Sequence, residues 1–334
     1  MEDDHVALAH GNGGRFMREL IAEVFLRHLG NPALDADADA VPIDAPAGQL
    51  MCTTDGFTVQ PLEFPGGNIG SLAVHGTVND LSVAGATPLY LCLDAIIEEG
   101  LPVATLDRIV ASLAAAAAEA GVRVVAGDTK VVRHGEAAGL YLATTGIGVR
   151  AAGVDVGMRR IAVGDRVLVT GPVGDHGTAV LLAREEFGLR GDLRSDSASV
   201  LPLARALLGV PGLRFMRDPT RGGLATVVHE IARYTGLGVR LEEARVPVRD
   251  PVRAVCEMLG YDPLYLACEG RIVAVVAPDA AEAALAALRA QPQGREAALI
   301  GTITAAGTHT VLATPLGGER FLDELEDDPL PRIC

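Results

Sequence analysis

The sequence predicts a mixed α/β and α+β fold in two domains. A length of 334 residues is enough for two separate hydrophobic cores. Short apolar segments typical of strands are mixed with longer segments in which apolar residues recur at helical spacing. The two kinds of segment do not alternate in a strict strand–helix–strand repeat, which favours sheets that are backed by helices on one side.

The first half of the chain contains three predicted helices and four predicted strands. Phe16, Leu20 and Val24 recur every four residues and therefore share one helix face. The Gly-Asn-Pro sequence at 30–32 ends that helix, and Gly121 ends the third one. The predicted helices cover 15–29, 69–85 and 106–120, and the predicted strands cover 50–54, 89–97, 122–126 and 139–149.

The second half begins after a predicted linker at 150–164 and again mixes strands with helices. A glycine-rich segment at 171–177 separates its first strand from its first helix. The predicted strands cover 165–170 and 271–276, with two more near 298–303 and 309–313. The predicted helices start at Thr178 and at Pro219, and a third covers 280–289.

Composition excludes several classes of function. A net charge of −15 argues against nucleic acid as a partner, because binding its phosphates requires a basic surface. No apolar run approaches the roughly 20 residues that span a bilayer, and the acidic start of the sequence is unlike a signal peptide. The five cysteines form no C-x-x-C pair. We therefore expect a cytoplasmic protein with reduced thiols and no membrane contact.

Lys130 is the one lysine among 28 basic residues, and all the others are arginines. A lysine can lose its proton near neutral pH when its surroundings lower its pKa, whereas an arginine cannot. The presence of this single ammonium group indicates a chemical function. The alternative is that Lys130 is present by chance.

Four aspartates share one sequence context, since each lies where an apolar segment meets glycine, threonine or asparagine. They are Asp55, Asp80, Asp128 and Asp218. Carboxylates beside glycines suit Mg²⁺ next to a polyphosphate, which needs a few hard oxygens and room for substrate oxygens. Each also has an ordinary structural interpretation: Asp55-Gly56 is typical of a turn, and Asp218 before Pro219 is typical of a helix cap. Together they favour a metal–nucleotide site.

Two glycine-rich segments lie at the starts of predicted helices: 10–14 precedes one, and 217–224 opens another. Backbone N–H groups at helix starts bind anions. Neither segment matches the dinucleotide-binding or the Walker pattern, so those nucleotide-binding folds are not indicated.

The last segment, 314–334, is acidic and ends in Cys334. We expect a mobile arm, because terminal segments fray unless they are docked. An exposed thiol is an oxidation liability, so a cysteine kept at the tip of such an arm suggests a carrier that is loaded in one place and processed in another. A compositional accident is the alternative.

Four motifs in a fixed order carry a resemblance to a known group of proteins. They are Thr-Thr-Asp-Gly-Phe at 53–57, Asn-Asp-Leu with Gly-Ala-x-Pro at 79–88, Gly-Asp-Thr-Lys at 127–130 and Asp-Pro-Thr-Arg-Gly-Gly-Leu at 218–224. This set resembles the ATP-binding superfamily of aminoimidazole ribonucleotide synthetase, which includes selenophosphate synthetase and thiamine-monophosphate kinase. The final Pro-Arg-Ile-Cys resembles one branch, the HypE carbamoyl dehydratases that mature nickel-iron hydrogenases.

The resemblance implies an architecture. It divides the chain into a Gly-rich segment and helix at 1–40, an ATP-binding α/β domain at 41–155, an α+β domain at 156–314 and a flexible tail at 315–334. It also implies a homodimer, in which strands of the N-terminal domain form a barrel with those of the second subunit.

The resemblance further implies a reaction. A carbamoyltransferase, HypF, loads a carbamoyl group onto Cys334, and ATP with Mg²⁺ drives its dehydration to a thiocyanate. The cyano group then passes to iron held by a HypC–HypD complex. The implied catalytic residues are Cys334, Lys130, His176 and Glu269, with Lys130 equally suited to bind a phosphate. The implied ATP-binding residues are Asp55, Asn79, Asp80, Asp128, Thr129, Thr145, Gly146 and Asp218, and the implied metal ligands are Asp55, Asp80, Asp128 and Asp218.

Three other functions compete with this one. A selenophosphate synthetase usually carries a reactive cysteine beside its N-terminal glycines, and here the first cysteine is Cys52. A small-molecule kinase would leave Cys334 without a function. A non-catalytic thiol carrier would not need the four aspartates. ATP hydrolysis separates the last of these from the enzymes.

Overall fold

The computed structural model describes residues 3–184, 192–305, 307, 309–326, 330, 333 and 334. The chain forms two compact units. The first contains Met1–Leu81, Ala86–Ala152 and Cys334, and the second contains Ser82–Gly85 and Gly153–Ile333. Among the described helices, none is both long enough and apolar enough to cross a membrane.

Among its described residues, the first unit contains four helices and six strands. A π-helical turn at Ile21–Leu26 joins α1 to α2 in one continuous helix. The helices are α1 (Arg15–Leu20), α2 (Arg27–Leu29), α3 (Ile69–Val83) and α4 (Val103–Ala120). The strands are β1 (Gln49–Phe57), β2 (Glu63–Phe64), β3 (Gly67–Asn68), β4 (Ala86–Glu98), β5 (Arg123–Val132) and β6 (Leu140–Arg150).

The main sheet of this unit has the strand order β1-β6-β4-β5. Strands β4 and β5 are parallel, and the other pairs are antiparallel. Helix α3 packs on one face, where the hydroxyls of Thr77 and Thr144 are hydrogen-bonded. Gly146 permits this approach, because a Cβ there would lie 2.6 Å from Cγ2 of Thr77. Close packing of α3 on β6 thus fixes the helix that carries Asn79 and Asp80.

In the part of the chain that the structure describes, the second unit contains five helices and seven strands. The helices are α5 (Asp175–Ala183), α6 (Leu201–Leu208), α7 (Gly223–Thr235), α8 (Asp250–Leu259) and α9 (Ala281–Arg289). The strands are β7 (Arg166–Val169), β8 (Leu213–Arg217), β9 (Gly238–Glu242), β10 (Val273–Val276), β11 (Ala298–Thr304), β12 (Thr310–Ala313) and β13 (Glu319–Phe321). Short 3₁₀ turns of this unit lie at Met158–Arg160, Glu243–Arg245, Pro263–Tyr265, Pro278–Ala280 and Pro292–Gly294. A further 3₁₀ turn, at Leu8–Gly11, belongs to the first unit.

The seven strands form one sheet in the order β13-β12-β9-β11-β7-β10-β8. Val167 and Val169 belong to a core that includes α7, whereas Leu168 belongs to a second core that includes α6 and α9. Successive residues of a strand point to opposite faces, so helices cover both faces of this sheet. The expectation of helices on one side only is therefore wrong for this unit.

The mixed α/β character of the chain is confirmed, and most predicted elements are present. The helix predicted from Pro219 is wrong, since α7 begins at Gly223. The strand predictions at 50–54 and 122–126 were too short, because β1 runs on through Asp55 and β5 through Lys130. Gly127, just beyond the predicted end at residue 126, lies inside β5, where a Cβ would meet the Leu93 carbonyl oxygen at 2.4 Å.

The contact between α3 and α4 yields a prediction. A Cβ at Gly70 would lie 2.2 Å from the Ile109 carbonyl oxygen, so Gly70→Ala must move one helix away from the other. We expect the free energy of unfolding to fall by about 2 kcal/mol or more, as measured by chemical denaturation. Gly56→Ala is the control, because nothing lies within 4 Å of a Cβ there. Equal losses in the two variants would contradict the described packing.

Candidate active site

Two of the predicted aspartates lie on the α3 side of the first sheet. Thr53 donates its hydroxyl proton to Oδ2 of Asp80 at 2.7 Å. Asp55 follows two residues after Thr53 and pairs with Thr144 across the strands. Residues opposite each other in an antiparallel pair share a face, and the Thr144 hydroxyl bonds to α3. Asp55 and Asp80 are therefore on the same side of the sheet.

Asn79 is buried at 1% exposure on α3, beside the half-buried Asp80. The remaining two ATP-binding candidates of this region lie on β6. Gly146 faces α3, as described above. Thr145 points to the opposite face, where its hydroxyl lies 3.1 Å from that of Thr54.

Asp128 lies on the other face of the sheet from Asp55. Asp128 on β5 is opposite Asp94 on β4, and Asp94 is opposite Ala143 on β6. Residues opposite each other share a face. Ala143 directly precedes Thr144, which faces α3, so Ala143, Asp94 and Asp128 lie on the other face. Lys130, two residues along the same strand, donates to Oδ2 of Asp128 at 2.5 Å. This hydrogen bond, helped by one from the Thr129 N–H, lowers the pKa of Asp128. Both residues lie inside β5, not in a loop.

The structure therefore does not bring the predicted metal ligands together within the first unit, because Asp128 faces away from Asp55 and Asp80. Asp218 belongs to the second unit, where it directly follows β8 and is 6% exposed. Within the described residues, no three His, Cys, Asp or Glu side chains are placed to share a metal ion.

A cavity of about 250 Å³ lies at the outer edge of β5. Its apolar wall includes Phe25, Leu29 and Val124, and its polar lining includes Asp128 and Thr129. The Thr129 side chain is 7% exposed, and its hydroxyl has no hydrogen-bond partner among the described residues. A buried unpaired hydroxyl is costly unless a ligand satisfies it. The cavity thus combines an apolar surface with an unused polar group, which suits a nucleoside.

Sequence reasoning did not find this cavity. The acidic loop at 35–39 contributes Asp35 and Asp39 to its lining. The helix over 15–29 was predicted, but nothing in its spacing indicated that Phe25 and Leu29 would line a cavity.

His176 lies in the first turn of α5 and is fully buried. Its Nε2 lies 2.8 Å from the main-chain oxygen of Ile333, and its Nδ1 lies 2.8 Å from Oγ of Ser195. Burial lowers the pKa of His176, so the ring is neutral at physiological pH. The prediction placed His176 in a turn, and the structure places it inside a helix with both ring nitrogens bonded.

Charged side chains are buried around this histidine. Arg271 lies between Asp175 and Asp196, at 3.5 and 3.4 Å. Burial raises the pKa of Asp175 to about 6, against the opposing effect of its hydrogen bond from Arg249. Asp196 Oδ1 accepts the N–H of Glu269 at 3.1 Å. This network holds the buried segment that carries Glu269.

Glu269 is 2% exposed, so its carboxylate is buried and not solvated. Its neighbour Cys268 is also buried, and burial raises the pKa of that thiol well above its ordinary value. Cys268 is consequently a protonated core thiol and not a competitor for the reactive cysteine.

Three apolar residues near the end of the sequence are packed, although Leu316 and Phe321 are exposed. Leu322, Leu330 and Ile333 are buried. Cys334 is half-buried and lies outside any disulfide, and its main-chain oxygen accepts from the N–H and the hydroxyl of Thr58, at 3.2 and 3.3 Å. Pro331 and Arg332 of the final motif lie outside the described residues. The flexible tail at 315–334 stays a prediction.

Comparison with known proteins identifies the family. Residues 36–150 match the N-terminal domain of AIR synthase related proteins, and residues 162–313 match their C-terminal domain. The carbamoyl dehydratase HypE of Azotobacter vinelandii is 50% identical over 336 residues, covering 100% of this chain and 98% of that protein. The chain belongs to the HypE family of carbamoyl dehydratases.

Solved structures of HypE proteins have the same fold. A hydrogenase maturation protein HypE in complex with ATP superposes with a TM-score of 0.93 at 46% identity, covering 98% of this chain and 99% of that one. A HypE chain from a HypE–HypF complex superposes with a TM-score of 0.81 at 44% identity, covering 92% and 99%.

Sequence reasoning within this family missed three polar residues, Thr58, Ser195 and Asp196. None stands in a recognisable motif, and each acts here through a hydrogen bond to a distant part of the chain. A spacing pattern cannot reveal such pairings, because they depend on the tertiary fold.

The Asp128–Lys130 pair yields a prediction. In Lys130→Gln, we expect the pKa of Asp128 to rise towards its ordinary value, because the donor that lowers it is lost. A lowered carboxyl pKa stabilises the fold above the ordinary pKa, and this stabilisation is lost as pH falls through the lowered one. Both groups are exposed, so the unfolding free energy should change by no more than about 0.5 kcal/mol at neutral pH.

Carbon-13 NMR titration of the aspartate carboxyl groups measures this shift. Arg108→Gln is the matched control, because Arg108 lowers the pKa of Glu63 in the same way on another surface. An Asp128 pKa that is equal in wild type and Lys130→Gln would contradict the described pair.

Proposed function

We infer that this chain is an ATP-dependent carbamoyl dehydratase that functions in nickel-iron hydrogenase maturation. It dehydrates an S-carbamoyl group on Cys334 to a thiocyanate, which supplies cyanide ligands for iron. Full-length identity to HypE proteins supports the reaction class. One structural observation supports Cys334 as the residue that carries the carbamoyl group. The main-chain oxygens of Ile333 and Cys334 are hydrogen-bonded to His176 and Thr58, respectively.

We propose that ATP binds at the first unit with its base in the cavity beside β5. The unpaired Thr129 hydroxyl and the apolar wall fit a nucleoside, as argued above. Asp55 and Asp80 supply hard carboxylate oxygens that suit Mg²⁺ next to phosphates. When bound, ATP supplies the phosphoryl group that converts the amide oxygen into a good leaving group, and Mg²⁺ offsets its charge.

The overall reaction balances without any further reactant. The thiocarbamate R–S–C(=O)–NH₂ and ATP give the thiocyanate R–S–C≡N, ADP and inorganic phosphate. The carbonyl oxygen leaves with phosphate, and two protons leave nitrogen as the C≡N bond forms. A base is needed for those protons. Glu269, a buried carboxylate, and Lys130, the one lysine, are the candidates for it.

The proposed partners follow from the family. We propose that HypF loads the carbamoyl group and that the HypC–HypD complex receives the cyano group. A HypE protein has been crystallised in complex with HypF, which supports HypF as a partner. We propose that two copies pair through the first sheet to form a barrel in the cytoplasm. Leu50 and Ile96 on its open face are 60% and 37% exposed, which supports a covering partner.

The aspartate assignment yields a prediction. Asp80→Asn removes a carboxylate charge from the proposed phosphate side of the site, so Mg²⁺-dependent ATP binding should weaken at least tenfold. Isothermal titration calorimetry measures this. Asp107→Asn is the control, because Asp107 forms a surface pair with Arg27 and His28 instead. Unchanged affinity in Asp80→Asn, with the fold intact by circular dichroism, would refute the assignment.

The thiol assignment yields another prediction. After incubation with a HypF protein, its carbamoyl donor and ATP, peptide mass spectrometry should show first a carbamoyl and then a cyano adduct on Cys334. Cys334→Ala should form neither adduct and still bind ATP. Cys52→Ala is the control, because Cys52 is the exposed cysteine of the first unit, and it should behave as wild type. An adduct on Cys52 that persists in Cys334→Ala would overturn the proposal.

A further inference from the structure

Three hydrogen bonds in the second unit form a continuous relay that ends on the residue before Cys334. The Ser197 N–H lies 3.0 Å from Oγ of Ser195. Ser195 Oγ lies 2.8 Å from Nδ1 of His176, and His176 Nε2 lies 2.8 Å from the main-chain oxygen of Ile333. All three distances are within the normal range for hydrogen bonds.

Chemistry fixes the direction of every bond in this relay. A main-chain carbonyl oxygen can only accept, so Nε2 must carry the proton. A neutral imidazole has one N–H, which leaves Nδ1 as an acceptor. Ser195 must therefore donate its hydroxyl proton to Nδ1, and its oxygen accepts the Ser197 N–H in turn. The relay runs from Ser197 through Ser195 and His176 to Ile333.

Burial shields the His176–Ile333 end of the relay from water, whereas Ser195 at the other end is half-buried. His176 is 0% exposed and Ile333 is 5% exposed. Leu330, which is also buried, lies 3.7 Å from the position of a Cβ at Gly177, the residue after His176. In a buried site a lost hydrogen bond leaves its partner unsatisfied, and that costs more than the bond itself contributes.

We propose that Ser195 is a positioning residue for the dehydration reaction, because it selects the His176 tautomer that binds the Ile333 carbonyl and thereby places Cys334. This positioning function goes beyond the proposed function. It depends on the proposed function in one respect, that Cys334 carries the reacting group. The proposal also assigns His176 a positioning function in place of the catalytic function that the family resemblance implies, since both ring nitrogens are already hydrogen-bonded.

The alternative tautomer shows what Ser195 prevents. With the proton on Nδ1, the Nε2 lone pair would face the lone pairs of the Ile333 oxygen, and the contact would become repulsive. The docked position of the last residues would then lose its hydrogen bond and gain a repulsion. Removal of the Ser195 hydroxyl makes this tautomer competitive without deleting any atom of His176 or Ile333.

The experiment compares Ser195→Ala and Ser195→Thr with wild type. Nitrogen-15 NMR of labelled histidine reports the His176 tautomer, and the rate of alkylation of Cys334 by iodoacetamide, read by peptide mass, reports docking. We expect Ser195→Ala to lose the pure Nε2–H state and to raise the alkylation rate about fivefold to tenfold, because one hydrogen bond of this partly buried network is lost. Cyano-group formation should fall by a similar factor with ATP affinity unchanged. Ser195→Thr, which keeps the hydroxyl, should restore all three.

Ser199→Ala is the matched control in the same segment. Ser199 is buried and accepts the Leu201 N–H at the start of α6, away from the histidine. If Ser199→Ala raised the alkylation rate as much as Ser195→Ala, general loosening of the segment would explain the effect and the proposal would fail. It would also fail if Ser195→Ala kept the Nε2–H tautomer. If instead the tautomer and alkylation results held but wild type formed no cyano group, the proposed function would be wrong and the docking relay would stand.

Discussion

The hydrogen bond from His176 to the Ile333 carbonyl is the contact on which the account of the reactive cysteine depends. It holds the last residues by their main chain, and Thr58 does the same to the main-chain oxygen of Cys334. Main-chain contacts do not change when a side chain is modified. The same docking can therefore serve the thiol, the carbamoyl adduct and the cyano adduct, although the three differ in size and polarity.

A second constraint shapes the first unit. Helix α3 lies close to β6 because Gly146 leaves room for Thr77, and this packing puts Asp80 within hydrogen-bond distance of Thr53. A carboxylate held by a hydroxyl is oriented before any ligand arrives, which lowers the cost of binding a metal–nucleotide. Asp80 is therefore distinguished from the other aspartates of this acidic chain by its position in the fold, beside the Thr53 hydroxyl, more than by its local sequence.

The sequence predicted the elements with strong periodicity and the residues inside motifs. Helix α4 ends at Gly121 as expected, since a left-handed residue closes it. The prediction failed where glycine has a packing function, as at Gly127, because its neighbour in space is far away along the chain. For the same reason it missed the partner of His176. Ser195 is 19 residues away, and nothing in the intervening sequence marks the pair.

The central claim is that ATP activates the carbamoyl oxygen of the group carried by Cys334. The most direct test is a single turnover of the carbamoylated protein with oxygen-18 in the carbamoyl group, followed by mass spectrometry of the inorganic phosphate. The account predicts one oxygen-18 atom in phosphate for each thiocyanate formed, because the activated oxygen leaves with the phosphoryl group. Phosphate without the label, and oxygen-18 in water, would contradict it.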